Sequence, residues 1–232
     1  MVGLENGSIL VWEIKEGVQS DNPVTVLNQE TVREPYGVTA LCFDNRHNKL
    51  YAGTKDGKVM YWSYEKTFTE TKVESKEEAK EKEGTEGGKQ EKNKKENIIT
   101  KTTHSFSFES ILLLDEEAKR QITMIKFCDE WGLLVASSAK GAAFAWNISE
   151  SGHPEAKMDL NCQPKEGDAD EKNITSDIAF DIQGNILFLS SYDEKVYMFN
   201  RTGSLRNSNF NLLEDQTIYN KYEAKVVAIA FD

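Results

Sequence analysis

A stretch of 27 residues, present in three copies, determines the fold of this chain. Residues 38–64 read VTALCFDNRHNKLYAGTKDGKVMYWSY, residues 122–148 read ITMIKFCDEWGLLVASSAKGAAFAWNI, and residues 175–201 read TSDIAFDIQGNILFLSSYDEKVYMFNR. The copies align without a gap, and each places an aromatic ring nineteen residues after a phenylalanine, as Trp62 follows Phe43. A unit that recurs at a fixed length indicates a repeat architecture.

Each copy has the pattern of three antiparallel strands joined by short turns. Residues 38–43 are apolar apart from Thr39, which favours a strand that is buried on both faces. A polar turn, an apolar run at 50–52, the pair Asp56-Gly57 and a further apolar run at 59–62 follow. Asp-Gly between two β-rich runs predicts a tight hairpin of type I′, in which both central residues have positive φ.

Two partial copies flank the complete ones. Residues 3–14 read GLENGSILVWEI and place Gly3 and Gly7 at the positions of Gly53 and Gly57. Residues 226–232 read VVAIAFD and match the first strand of the unit. The sequence therefore predicts one more first strand at 226–232, and the later strands of another unit near residue 3.

The repeats resemble WD repeats, the four-stranded blades of β-propellers. The resemblance rests on the order Phe43-Asp44, Ala52-Gly53, Asp56-Gly57 and Trp62, and on its counterparts in the other copies. It implies an all-β propeller of four-stranded antiparallel blades, with about four blades' worth present here. The aspartate of the family's Trp-Asp pair is replaced in all copies, by Glu13, Ser63, Asn147 and Asn200. We therefore expect apolar packing to hold these blades together.

The resemblance also implies which residues fill the space between blades, and how the ring closes. The expected blade residues are Trp12, Trp62, Trp146 and Phe199 in the third strand, and Phe43, Phe127, Phe180 and Phe231 at the end of the first strand. An unclosed ring leaves a strand edge exposed. We expect a larger ring of the seven-bladed type, completed by further chain or by a partner. A small four-bladed ring is the alternative.

Composition narrows the class of protein. The net charge of −11 argues against a nucleic-acid backbone as the main partner. The three cysteines, Cys42, Cys128 and Cys162, lack metal-like spacing, and the sequence shows neither a signal-peptide core nor eighteen consecutive apolar residues. We expect a cytoplasmic protein that uses no metal, cofactor or membrane.

Polar inserts divide the chain. Residues 1–64 hold the partial unit and the first full blade, residues 65–101 form a Lys- and Glu-rich insert, and residues 102–232 hold two further blades and the first strand of a next one. Residues 65–101 are expected to be disordered, as a partner-binding spacer or as a tolerated surface insertion. Outer strands are expected near Thr103–Leu113 and Ala156–Asn161. The acidic stretch after the second lacks the glycine and glutamate of a calcium loop, which favours a solvated loop.

The sequence shows no catalytic constellation, so its candidate site residues are candidates for binding. Asp177 is taken as the one exception among apolar first strands; it either contacts a ligand in a wet channel or bonds backbone amides of a neighbouring blade. Trp131 is predicted at a hairpin tip, where it either contacts a partner or lies over a neighbouring loop or the insert of residues 65–101. The other candidates share the face formed by the starts of the first strands and the second turns: Thr39, Thr123, Tyr192, Lys55 and Lys140.

Two functions follow from this interpretation. The first is a non-catalytic scaffold for protein–protein interaction within a larger assembly. The Lys-, Glu- and Asn-rich insert resembles those of WD-repeat proteins in cytoskeletal or ciliary assemblies. The alternative is a regulatory reader that binds a short peptide or a modified side chain at the mouth of the propeller channel. An enzyme would require converging acids or histidines, which the sequence does not show.

Overall fold

The structure is a computed structural model that describes residues 1–15, 18–27, 36–74, 96–113, 120–139, 142–161, 175–192, 194–204, 207–213, 218–219 and 226–230. Within these ranges the regular structure is all β. The chain divides into two compact units, the first formed by residues 1–64 and 106–232 and the second by residues 65–105.

Three complete sheets of antiparallel strands follow one another along the chain, and we call them blades 1 to 3. Blade 1 contains β6 (Val38–Asp44), β7 (Lys49–Thr54), β8 (Lys58–Glu74) and β9 (Glu96–Leu113). Blade 2 contains β10 (Ile122–Cys128), β11 (Leu133–Ser138), β12 (Ala142–Ile148) and β13 (Pro154–Asn161). Blade 3 contains β14 (Thr175–Asp181), β15 (Ile186–Ser191), β16 (Lys195–Ser204) and β17 (Asn207–Leu212), and β18 (Ile218–Tyr219) also pairs with β16.

A smaller sheet precedes these blades, and we call it the partial blade. Its strands are β1 (Val2–Gly3), β2 (Ile9–Val11) and β5 (Thr25–Leu27). A two-stranded sheet of β3 (Ile14–Lys15) and β4 (Val18–Gln19) lies between β2 and β5 in sequence. The expected all-β fold with four-stranded antiparallel blades is confirmed, including outer strands that contain Thr103–Leu113 and Ala156–Asn161.

The first turn of every blade ends with a residue in the left-handed region. Asn48, Gly132 and Asn185 have φ of 53°, 58° and 55°, and each directly precedes its middle strand. Asparagine and glycine tolerate this conformation better than other residues do. In blade 1 the turn is also held by Asp44, whose Oδ1 accepts the backbone N–H groups of Arg46 and His47 at 2.8 and 3.0 Å.

The second turn differs in detail from the expected type I′ hairpin. Gly57 has φ of 84°, whereas Asp56 does not have positive φ, so a single left-handed residue closes the turn. The equivalent residue of blade 3 is Glu194, with φ of 71°. The hairpin was therefore placed correctly by the Asp-Gly pair, and its turn type was wrong. Thr54 also holds this turn, because its Oγ1 accepts the Lys58 N–H at 3.1 Å.

Successive sheets of the first unit pack face to face through apolar clusters. Ile9, Val11 and Leu27 of the partial blade pack against Leu50, Met60 and Trp62 of blade 1, and similar clusters join blade 1 to blade 2 and blade 2 to blade 3. At Gly53 the absence of a side chain lets blade 1 approach blade 2 closely. A Cβ on Gly53 would lie 2.4 Å from Cγ2 of Ile122, so the middle strand of blade 1 touches the first strand of blade 2.

The expected blade residues Trp62, Trp146, Phe199, Phe43, Phe127 and Phe180 lie in or beside these clusters, whereas Trp12 belongs to none of them. Trp62, Trp146 and Phe199 are buried, and Trp12, Phe43, Phe127 and Phe180 are half-buried. Phe231 lies outside the described residues.

The expected disorder of residues 65–101 is wrong at both ends of that segment. The described parts are strand, because β8 continues to Glu74 and β9 begins at Glu96. In β8 threonines alternate with other residues at 67, 69 and 71, and such β-branched residues favour extended backbone. In this second unit Ser105 Oγ donates to the Glu65 carbonyl at 3.4 Å, and the Lys66 ammonium lies 5.2 Å from the Phe68 ring centroid. Residues 75–95 lie outside the described residues.

The strand expected at 226–232 is also corrected. Residues 226–230 are described and are not in a strand, and residues 231–232 lie outside the described part. A strand requires a neighbour with which to exchange backbone hydrogen bonds. The segment nevertheless lies against blade 3, where Val226 and Ile229 pack on Ala179, Phe188 and Val196.

Candidate functional site

Thr39 and Thr123 were candidates on the face that holds the mouth of the propeller channel, and we call the candidates on this face the channel-mouth residues. Their hydroxyls form hydrogen bonds within their own blades. Thr39 and Thr123 are the extra residues of β-bulges between first and middle strands. Thr39 Oγ1 donates to the Gly53 carbonyl at 3.2 Å, and Thr123 Oγ1 donates to the Ser137 carbonyl at 3.3 Å. These contacts satisfy the hydroxyls and hold the bulges in place.

Asp177 joins the first strands of blades 2 and 3 to residues 226–230. Its Oδ1 lies 2.5 Å from Nζ of Lys126 and accepts the Ile178 N–H at 2.8 Å, and its Oδ2 accepts the Ile229 N–H at 3.1 Å. Lys126 also donates to the Ile178 carbonyl at 2.6 Å. The carboxylate therefore does what the structural interpretation of the sequence predicted, since it bonds a backbone amide of a neighbouring segment.

Lys126 was missed by the sequence analysis, which took Asp177 as the one exception among apolar first strands. The signal was present, because Lys126 is a charged residue inside the apolar run of β10. Partial burial alone would raise the pKa of Asp177. The hydrogen bonds from Lys126, Ile229 and Ile178, together with the charge of Lys126, outweigh burial and lower that pKa.

The remaining channel-mouth candidates do not form one charged pocket among the described residues. Lys55 Nζ lies 2.6 Å from Oε1 of Glu5 in an exposed ion pair. Tyr192 follows β15 and is half-buried. Lys140 lies outside the described residues. An exposed pair such as Lys55–Glu5 contributes little to stability.

Trp131 is not the exposed hairpin-tip ring that the sequence suggested. Its side chain is 2% exposed and belongs to the cluster between blades 2 and 3. Phe180 meets the ring edge to face at 5.5 Å between centroids, Phe210 lies at 6.3 Å, and the Arg201 guanidinium lies 5.1 Å from the ring centroid. The ring is buried because the first turn of blade 2 places the Trp131 side chain against the neighbouring sheet of blade 3. The packing alternative therefore fits the structure.

A cavity of about 370 Å³ lies beside this turn. It is lined by Arg46, His47, Glu130, Trp131, Gly132, Ile148 and Ser204, which come from all three blades. His47 Nδ1 lies 2.6 Å from Oδ2 of the buried Asp44, and Arg46 Nη1 donates to the Asp129 carbonyl at 3.3 Å. Arg46 of this wall therefore also joins blade 1 to blade 2, whereas His47 is held within blade 1.

The partial blade has one open apolar face. Val2 pairs with Leu10, and Leu10 pairs with Val26, so the three side chains share one face of the sheet. Val2 is 48% exposed and Val26 is 49% exposed. In blade 1 the residues at the positions of Leu10 and Trp12 are Met60 and Trp62, which are 1% and 4% exposed. The corresponding face is thus covered in blade 1 and uncovered in the partial blade.

Within the described ranges, no three His, Cys, Asp or Glu side chains converge in a way that would hold a metal ion. The described part of the chain also contains no helix that is long and apolar enough to cross a membrane.

Comparison with known proteins identifies the blades. The chain superposes on the WD40 β-propeller domain of Doa1 with a TM-score of 0.51 and 12% identity, over 98% of this chain and 53% of that one. The chain has the β-propeller fold, and its repeats resemble those of the WD-repeat family. Likeness to a candidate 6-phosphogluconolactonase from Bacteroides uniformis, with a TM-score of 0.55 and 10% identity over 90% of this chain and 51% of that one, shows the fold alone.

Part of the chain is similar in sequence to curated proteins. It is 28% identical over 89 residues to Denticleless protein homolog A of Xenopus laevis, which is 38% of this chain and 12% of the relative. It is 26% identical over 89 residues to the Denticleless protein homolog of Danio rerio, 14% of that relative. No family model matches the chain. This propeller chain therefore covers about half of each solved chain and a small part of its relatives.

Proposed function

We propose that this WD-repeat chain is a non-catalytic scaffold for protein–protein interaction and forms one section of a larger propeller assembly. The observation that carries the proposal is the open face of Val2, Leu10 and Val26. Equivalent faces of the complete blades are covered by a neighbouring sheet. Exposed contiguous apolar surface of this kind marks protein interaction sites.

The mechanism is rigid display. Apolar clusters between sheets fix the blades relative to each other, and the ion pair of Lys126 and Asp177 ties two first strands together. Because these polar groups are used within the protein, the described channel-mouth residues give the reader hypothesis no support of their own. A scaffold requires only that the frame holds its binding surfaces in place.

The cellular setting is a proposal from composition. The Lys-, Glu- and Asn-rich segment resembles those of WD-repeat proteins in cytoskeletal or ciliary assemblies, so we propose a cytoplasmic location in such an assembly. Detergent extraction of the source cells tests this location. We expect the protein in the insoluble cytoskeletal or axonemal fraction, and recovery only in the soluble fraction would contradict it.

The scaffold function is tested by purifying the tagged protein from its source cells under native conditions. Wild type is compared with Val26→Glu, which places a charge on the open face, and with Ile182→Glu, which alters an exposed residue in the first turn of blade 3. We expect a defined complex with wild type and with Ile182→Glu, and loss of that complex with Val26→Glu. Circular dichroism checks that both variants fold. A native mass equal to the polypeptide mass for all three proteins would overturn the proposal.

A further inference from the structure

The cavity beside Trp131 lies where the first turns of blades 1 and 2 meet the ends of two third strands. Its volume of about 370 Å³ lies within the range of sites that bind small ligands. First turns and channel-mouth residues stand at opposite ends of the first strands, so the cavity is on the other face of the blades. All of its lining residues belong to the first compact unit. The cavity is therefore a candidate binding site that is separate from the channel mouth.

The wall of the cavity combines apolar and charged groups. Trp131, Gly132 and Ile148 are buried, so the apolar part of the wall is held firmly by the packing of the blades. Arg46 and Glu130 are exposed, so their charged groups are accessible to a ligand. Binding sites typically have this composition, in which an apolar lining gives contact area and a few polar groups fix the orientation of the ligand.

Arg46 supplies a positive charge that is positioned but not neutralised. Its Nη1 donates to the Asp129 carbonyl at 3.3 Å, which anchors one corner of the guanidinium. A guanidinium has five N–H donors, so most of them stay available for a carboxylate. Arg46 takes part in none of the ion pairs between described residues. The cavity thus offers an anchored guanidinium to an acidic group.

His47 adds a ring nitrogen whose role is set by Asp44. Oδ1 of Asp44 accepts the backbone N–H groups of Arg46 and His47, and Oδ2 lies 2.6 Å from His47 Nδ1. This contact places a proton on Nδ1, because a carboxylate oxygen accepts hydrogen bonds. Nε2 is then the ring nitrogen that is open to a further hydrogen bond, for example from the backbone N–H of a peptide.

Glu130 supplies a negative charge on the same cavity. Its Oε2 accepts the Cys128 S–H at 3.6 Å, and a thiol is a weak donor. No ion pair joins Glu130 to Arg46 or to any other described residue. The cavity therefore presents two opposite charges that do not neutralise each other. A ligand with charges of one sign would place a like charge beside Arg46 or Glu130, and a ligand with both signs would satisfy the two residues together.

We propose that this cavity binds an extended peptide segment of a partner protein, in which an acidic and a basic side chain are two residues apart. Side chains two positions apart in an extended peptide lie on the same side, about 6.6 Å from each other. The acidic side chain binds Arg46, the basic side chain binds Glu130, and the methylene groups of the basic side chain lie along the apolar wall. The inference goes beyond the proposed scaffold function, since it adds a second binding site apart from the open face of the partial blade.

Selection from a library of random short peptides displayed on phage tests the proposal. The full-length chain is immobilised, and the bound peptides are sequenced. With wild type we expect peptides that carry Asp or Glu two positions from Lys or Arg to be enriched about tenfold over the unselected library, as the contribution of close charge pairs to binding implies.

Charge reversal assigns each side chain of the peptide to its partner. Arg46→Glu is expected to enrich peptides with two basic residues at this spacing, and Glu130→Lys peptides with two acidic residues. Lys55→Glu is the matched control, because it makes the same change of charge as Arg46→Glu in an exposed residue of the second turn, and it should keep the wild-type preference. Ser204→Trp places a large ring in the wall without changing charge, and we expect it to abolish the enrichment. Circular dichroism checks that each variant folds.

Two results would overturn the proposal. The first is a peptide preference of wild type that lacks the charge pair, or that stays unchanged in both Arg46→Glu and Glu130→Lys. The second comes from isothermal titration of an enriched synthetic peptide: free arginine, a small molecule with both charges, would have to bind as tightly as the peptide, and the site would then belong to a small zwitterion. Val26→Glu should bind the enriched peptide as wild type does. Loss of the native complex with retained peptide binding would remove the scaffold function alone.

Discussion

Replacement of Trp131 by alanine distinguishes a buried ring from the exposed hairpin tip that the sequence suggested. The ring is 2% exposed, and aromatic side chains bury about 150–250 Å². At about 25 cal/mol per Å², this burial corresponds to roughly 4–6 kcal/mol as an upper bound. Measured Trp→Ala changes in protein cores lie at about 3–5 kcal/mol. We expect Trp131→Ala to lower the free energy of unfolding by about 3–5 kcal/mol.

The partners of the ring refine the expectation. Arg201 lies over the ring, and its cation–π contact contributes about 0.5–2 kcal/mol, depending on burial. Trp131→Phe keeps an aromatic ring beside Phe180 and should destabilise less than Trp131→Ala. An exposed turn residue away from such contacts would change stability by only about 0.5 kcal/mol. The two interpretations therefore differ by several kcal/mol.

Urea denaturation followed by far-UV circular dichroism measures this difference, because the signal does not depend on the tryptophan that is removed. Ile182→Ala is the matched control: Ile182 is an exposed apolar residue in the corresponding turn of blade 3, and its loss should have little effect. A loss below about 1 kcal/mol for Trp131→Ala, with an unchanged denaturant slope, would refute the buried position of the ring.

Three further predictions follow from other contacts. Gly53→Val should destabilise the protein by about 1–3 kcal/mol in urea denaturation, because its Cβ would overlap Ile122. The lowered pKa of Asp177 means that its contribution is present above its ordinary value of 3.8 and is lost as the pH falls through the folded-state pKa, so Asp177→Asn should show less acid destabilisation than wild type. Burial raises the pKa of Cys42 and Cys128 to about 11, so both thiols should react about 100-fold more slowly with a thiol reagent than after unfolding.

The following results would contradict the predictions for Gly53, Asp177 and the two cysteines. Unchanged stability of Gly53→Val would mean that the middle strand of blade 1 does not touch blade 2. For Asp177, the comparison uses the slope of stability against pH, and parallel curves would contradict the expectation. The thiol assay is made in a Cys162→Ser background, since Cys162 lies outside the described residues, and fast native labelling of Cys128 would show that blades 2 and 3 are loosely packed.

The repeated residues made most of the fold predictable. Turns were predictable because Asn48, Asn185 and Gly57 are residue types that accept positive φ, and strands were predictable because apolar and β-branched runs lie between them. The expectation of disorder failed at the start of the insert. At residues 65–74 composition indicated disorder, yet the structure continues a strand there, because alternating threonines favour extended backbone.

The candidate site was less predictable, since it depends on contacts between blades. Asp177 was recognised as unusual, but its partners Lys126 and Ile229 lie about fifty residues away on either side. Spacing along one blade carries no information about which charged group lies opposite on the next blade. The open face of Val2, Leu10 and Val26 was likewise not visible until the equivalent face of blade 1 was seen to be covered.

The sequence by itself determined the blade, its three repeated strands and its turns, because strand periodicity and turn chemistry are local properties of the backbone. Only the tertiary structure decided that Trp131 is buried, that Asp177 pairs with Lys126, and that residues 226–230 rest on blade 3 without forming a strand. These outcomes depend on neighbouring sheets that are distant in the chain. Burial and pairing are properties of two surfaces in contact, and a repeat unit specifies only one of them.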